Sequence, residues 1–149
     1  MKRFAPLLAP ILLACSSLLF AAPAVEHLRL SVIPTAVSSG AAEAMVVSGG
    51  RWTTERHLVH AAVLIEHPKG RFLFDTGLGR QTAEAFARNN WINRTLLAYE
   101  QLNPARDQLE AAGYSADDID FILPSHLHWD HLGGLPDFPG IPVKVLPGA

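Results

Sequence analysis

Apolar positions change their period along this chain, and each period predicts an element. Leu28, Leu30 and Val32 alternate with Arg29 and Ser31, the spacing of a strand with one buried face. Residues Pro34 to Gly50 mix Pro, Ser, Gly and Ala and read mainly as loop, with a short strand at Ala44 to Val47. Val59 to Glu66 is a β-branched and apolar run, Pro68-Lys69-Gly70 is turn chemistry, and Arg71 to Asp75 resumes the run, so a hairpin is expected. Thr76 to Gly79 reads as a flexible loop, and Thr82 to Arg88 as a short helix with Trp91 packed nearby. A second helix has fuller signals: Asn103 can cap, Pro104 suits the first position, Ala105, Leu109 and Ala112 share a face, and Gly113 can end it. Ile119 to Leu123 reads as a short buried strand stopped by Pro124, and Val143 to Leu146 as another. The chain shows no internal repeat and no low-complexity linker.

The N-terminus follows a different pattern. Lys2 and Arg3 precede a stretch from Phe4 to Val25 whose only ionisable side chain is Cys15, and Ala22-Pro23-Ala24 supplies small residues for cleavage after Ala24. This is the layout of a secretory signal peptide over residues 1 to 24, which places the product in the periplasm or outside the cell, with no stable membrane association after cleavage. An uncleaved anchor is the first rival, weakened by Pro6 and Pro10. A lipoprotein signal at Leu12-Leu13-Ala14-Cys15 is the second. Loss of the leader takes the formal charge from −2 to −4, which offers no basic field for nucleic acid. Cys15 is the only cysteine, so residues 25 to 149 can form no internal disulfide and offer a metal no thiolate.

Candidate chemistry is concentrated where the strand ending at Leu123 runs out, in Ser125-His126-Leu127-His128-Trp129-Asp130-His131-Leu132-Gly133-Gly134. In extended chain, side chains two apart project to the same side, so His126 and His128 can converge on one ion. Asp130 and His131 can serve a second as the chain turns, and Gly133 and Gly134 permit a backbone path that a β-carbon would obstruct. The bland alternative is a polar surface loop whose histidines are only solvated. A closed structural zinc site is disfavoured because such sites lean on cysteine.

With this motif the sequence resembles the metallo-β-lactamase superfamily, whose defining His-x-His-x-Asp-His pattern is matched by His126, His128, Asp130 and His131. Upstream, Leu73-Phe74-Asp75-Thr76-Gly77-Leu78-Gly79 resembles the family's hairpin exit with its buried aspartate, and the likeness covers residues 28 to 146. The resemblance implies an α+β fold, an αββα sandwich of two face-to-face sheets with helices outside. It also implies a hydrolytic site of one or two metal ions at one edge, zinc first and iron or manganese as alternatives. By resemblance, His126 and His128 hold the first metal and Asp130 and His131 the second, while Asp130 also passes a proton to the leaving group. Asp75 orients the ligand loop as an outer acceptor on this reading; on the other it is a turn aspartate making local backbone hydrogen bonds. The family domain continues further, with a third histidine, a bridging aspartate and a last histidine that this sequence lacks. Residues 25 to 149 are therefore read as the N-terminal part of the domain, about half of the fold.

The implied chemistry is attack on an electrophilic carbonyl by hydroxide from a metal-bound water whose pKa is lowered to about 7. Motif and hairpin exit together look most like the lactonase branch that opens N-acyl homoserine lactones. A small-molecule lactone or carboxylic ester is the lead substrate, and β-lactam or thioester hydrolysis the alternative. A truncated, non-catalytic metal-binding fragment is the hypothesis from another class. The remaining histidines are weaker: His57 and His60, at the start of a strand with no carboxylate at ligand spacing, read as surface or packing residues, and His67 as solvated beside its turn. Trp129 either lines the substrate mouth or packs under the loop.

Overall fold

Residues 27–145 are described by the computed structural model, so the leader at 1 to 24, Cys15 and Leu146 lie outside the described residues. In chain order the elements are β1 (Arg29–Ser38), β2 (Ala41–Ala42), α1 (Glu43–Val46), β3 (Glu55–Arg56), β4 (Val59–His67), β5 (Gly70–Phe74), α2 (Thr82–Ala87), α3 (Trp91–Leu96), β6 (Tyr99–Glu100), α4 (Ala105–Ala111), β7 (Phe121–Leu123) and α5 (Trp129–Leu132). Five strands form one sheet in the order β6-β1-β4-β5-β7, and β2 and β3 pair separately. The expected hairpin is β4–β5, closed by the pair His67 and Gly70 around Pro68-Lys69. Only β5 and β7 run parallel, joined through the crossover that holds α2, α3 and α4.

One face of this sheet carries the core. Ile33, Ala62, Leu64, Leu73 and Ile122 lie under Ala105 and Leu109 of α4, with Ile119 and Phe138 completing the cluster. Burial of each leucine or isoleucine is worth about 1.5–3 kcal/mol. The period-two reading of β1 identifies the strand but assigns its faces the wrong way round. Leu30 and Val32 are 60% and 67% exposed, while Ile33 is buried. Leu30 pairs with Ile65 and Val32 with Val63, which places them on the face opposite α4. Phe72 and Phe121 stack on that same face with centroids 4.6 Å apart. An apolar face open on one side is what a second sheet of a sandwich covers.

Five other expectations need correction. Pro34 to Ser38, at the head of the segment read mainly as loop, completes β1 and pairs with β4. Ala44 to Val47 is not a strand: α1 forms because the Glu43 carboxylate accepts from the Arg51 amide at 3.1 Å and pairs with Arg56, folding the segment back on itself. Trp91 does not pack but stands 72% exposed at the start of α3. Pro104, rather than Asn103, occupies the N-cap of α4, because the Asn103 amide is drawn to the Thr35 carbonyl at 2.7 Å, and Ala112 faces solvent. Val143 makes only a single bridge to Ile122, since Pro142 and the Gly140 turn leave no longer pairing among the described residues.

Candidate metal centre

The parallel pairing of β5 with β7 brings two loops out at the same end of the sheet. Phe74 pairs with Leu123, so residues 75 to 79 and 125 to 134 leave side by side. Their backbones lock together. Both the amide and the hydroxyl of Thr76 donate to the His131 carbonyl, at 2.8 and 3.0 Å, and the Gly134 amide donates to the Gly77 carbonyl at 2.9 Å. Here Gly133 and Gly134 are required for contact rather than for dihedral freedom: a β-carbon on Gly134 would sit 2.8 Å from the Thr76 carbonyl oxygen, and one on Gly133 2.9 Å from that of Trp129. Gly77 needs both, since its φ is +61° and a β-carbon would overlap the Thr35 hydroxyl.

Asp75 sits at the hinge of the two loops, 5% exposed and in the left-handed region at φ 58°. Aspartate tolerates that conformation better than most residues. Its carboxylate makes no local turn bond; it reaches across to the motif loop, accepting from the Ser125 amide at 2.7 Å, the Ser125 hydroxyl at 2.8 Å and Nδ1 of His131 at 2.7 Å. A carboxylate only accepts, so Nδ1 of His131 carries the proton and Nε2 is left with its lone pair. The Ser125 hydroxyl also lies 3.0 Å from Nδ1 of His126, and having given its own proton to Asp75 it accepts there, leaving Nε2 of His126 free in the same way.

The four motif side chains gather. The rings of His126 and His128 are 4.5 Å apart by centroid and those of His126 and His131 4.0 Å, while Oδ2 of Asp130 is 3.7 Å from Nε2 of His131. His126 and His128 are exposed, His131 and Asp130 half-buried, and His128 caps α5, which carries Asp130 and His131. Two ligands of one zinc ion stand at most about 4.2 Å apart, so the Asp130 and His131 pair fits, and the imidazole and carboxylate donors suit a divalent cation. Among the described residues no group of three donors closes on one point.

His60, read from the sequence as a surface or packing residue, stands beside the motif. It lies in β4 with its side chain 11% exposed, and its Nδ1 is 3.5 Å from Oδ2 of Asp130. Burial holds the imidazole below its ordinary pKa; the Asp130 charge opposes this and His131 adds to it. The missing signal was tertiary, because Asp130 is remote in sequence and meets β4 only through α5. His57 is exposed beside Glu55 and the Ser38 carbonyl, and His67 accepts from the Lys69 amide. Trp129, 38% exposed, lines a cleft of about 540 Å³ with Phe86, Leu97, Asn89, Asn93 and Leu132, immediately beside the motif.

Comparison with known proteins identifies the family. The model of the metallo-beta-lactamase superfamily matches residues 56–146, and the chain belongs to that superfamily. Among its relatives are an N-acyl homoserine lactonase of Bacillus thuringiensis, 32% identical over 89 residues, and a probable metallo-hydrolase of Mycobacterium tuberculosis, 36% identical over 84. The alignments cover 55% and 56% of this chain and 34% and 27% of those proteins, so the chain spans about a third of the length of the curated relatives it matches. The structure of B. thuringiensis AiiA with N-decanoyl-L-homoserine at its active site superposes with a TM-score of 0.63 at 26% identity, covering 76% of this chain and 46% of that one. The fold is accordingly part of the metallo-β-lactamase sandwich.

Proposed function

We propose that the protein is a metal-dependent hydrolase that opens a carboxylic ester or lactone ring, with N-acyl homoserine lactones as the substrate class. The observation that carries this reading is the oriented donor set: His126 and His131 held through Nδ1 by Ser125 and Asp75, beside His128 and Asp130. His126 and His128 would hold one metal ion, and Asp130 and His131 a second, zinc being the first choice for such ligands. A bound divalent cation supplies Lewis acidity, bringing the pKa of a coordinated water to about 7 and stabilising charge on a carbonyl oxygen. Asp130 would pass a proton to the leaving oxygen. The cleft beside Trp129, lined by Phe86 and Leu97, offers apolar surface for an acyl chain, and its Asn89 and Asn93 offer amide partners. Support for the lactone class comes from the Bacillus thuringiensis relative and from the AiiA structure. We propose also that the protein is exported, on the pattern of residues 1 to 24.

The test is acid release on ring opening of an N-acyl homoserine lactone, measured with and without zinc for the protein and for His128→Ala. Zinc-dependent turnover lost in the variant is the expected result. Stoichiometric zinc without turnover would make the protein a metal binder instead, and zinc-independent turnover would refute the metal mechanism.

A further inference from the structure

The anchoring of the motif is uneven. His131 is fixed by Asp75 and His126 by Ser125, but Asp130 receives neither. Within ion-pair distance its carboxylate faces two imidazoles, His131 at 3.7 Å and His60 at 3.5 Å, and no lysine or arginine among the described residues. His60 comes from a different layer of the fold, and the backbone there is specially arranged. The β1–β4 register slips between Pro34 and Ala36, leaving Thr35 unpaired opposite Ala61 and His60. Bulges of this kind re-aim side chains and recur beside active sites. The bulged Thr35 is fully buried; its hydroxyl donates to the His60 carbonyl at 3.0 Å and accepts from the Leu78 amide at 3.0 Å, tying His60 to the loop that follows Asp75.

A polar ring buried at this depth without a partner is destabilising, which an aliphatic residue beside Trp129 would avoid. His60 stands 6.0 Å from the Trp129 ring, and the carboxylate within reach of its Nδ1 is that of Asp130. We propose that His60 is a positioning residue for Asp130: seated in β4 by the Thr35 bulge, it donates Nδ1–H to one lone pair of Oδ2 and so fixes the carboxylate in the orientation that faces His131. His60 thus does for the carboxylate ligand what Asp75 does for His131. The inference rests on the reading of Asp130 as a metal ligand. It requires the His60 to Asp130 gap to close by about 0.5 Å to an ordinary hydrogen bond.

The test titrates the metal-free protein with cobalt(II) alone and follows both the dissociation constant and the visible absorption of the bound ion. His60→Leu should weaken cobalt binding by about tenfold to a hundredfold and alter the spectrum. His60→Asn, whose amide nitrogen takes the place of Nδ1, should recover most of the loss, and His60→Gln should not. Placed in an Asp130→Ala background, His60→Leu should cost nothing further. Wild-type affinity and an unchanged spectrum in His60→Leu would overturn the proposal, as would an equal loss in both backgrounds, which marks packing alone. Should His60→Leu fail to fold by circular dichroism, the contrast between the Asn and Gln variants decides: rescue by Asn alone supports the proposal and equal behaviour overturns it. A wild-type protein that takes up no cobalt would refute the metal reading itself, and this inference with it.

Discussion

Replacing Asp75 by asparagine changes one atom of the site and, with it, the position of the proton on His131, 2.7 Å away. The left-handed backbone at φ 58° is one that asparagine adopts readily, so the hinge survives. Oδ1 still accepts from the Ser125 amide, and the Ser125 hydroxyl can turn to accept from the new amide. The His131 ring has no such freedom: its Nδ1–H, now 2.7 Å from an N–H donor, must move its proton to Nε2 to make a bond at all. On the proposed function, Nε2 is the nitrogen that would face the metal. Losing a hydrogen bond to a charged group costs about 1.5–3 kcal/mol of stability. Metal affinity should fall by about tenfold to a hundredfold, the usual effect of disturbing an outer partner of a ligating histidine. Urea denaturation of the metal-free protein measures the first effect, and zinc competition against a chromophoric chelator the second. A variant that loses stability but binds zinc within twofold of wild type would refute the tautomer argument and leave Asp75 as a structural tie between the two loops.

Three further outcomes test the scaffold. Gly77→Ala forces a β-carbon into the left-handed region against Thr35, and should destabilise the fold by about 2–4 kcal/mol in urea titrations; a loss below about 1 kcal/mol would contradict the close approach. Ile122→Ala empties a fully buried position in β7, directly behind the motif loop, and should cost about 2–5 kcal/mol by the same measurement, with a smaller loss showing that the core collapses around it. Asp118 caps its turn by accepting from the Ser115 amide and hydroxyl, which, with Arg71, holds its carboxyl below the ordinary aspartate value. Because the folded pKa is lowered, the cap's contribution is present above the usual aspartate pKa and is lost as pH falls through the lowered one. Carboxyl titration by NMR should show this, with Ser115→Ala moving the value part of the way up; an unmoved titration would count against the hydroxyl.

Local chemistry made some of this architecture legible in the residues alone. Pro68-Lys69-Gly70 between two apolar runs yields the β4–β5 hairpin, and the Ala105 and Leu109 spacing yields the buried face of α4. The His-x-His-x-Asp-His motif could be read because its four side chains are neighbours in sequence. What period and propensity could not show was set by distant partners. Alternation in β1 reveals a strand but not which face meets α4, and Ser31 and Ile33 turn out to share the core side. Asp75 had two equal readings until the β5–β7 pairing set it against Ser125 and His131. His60 reads as a surface or packing residue because its carboxylate neighbour arrives through α5, and Trp91 reads as packed near α2 because an exposed tryptophan leaves no mark in periodicity.

X-ray absorption at the zinc edge of the protein loaded with stoichiometric zinc, set beside that of the His126→Ala, His128→Ala double variant, shows whether the motif imidazoles hold the ion. The expected spectrum has a shell of nitrogen and oxygen at about 2.0–2.2 Å with outer imidazole scattering, diminished in the variant. Zinc that is not retained, or imidazole scattering that the two substitutions leave unchanged, would contradict it.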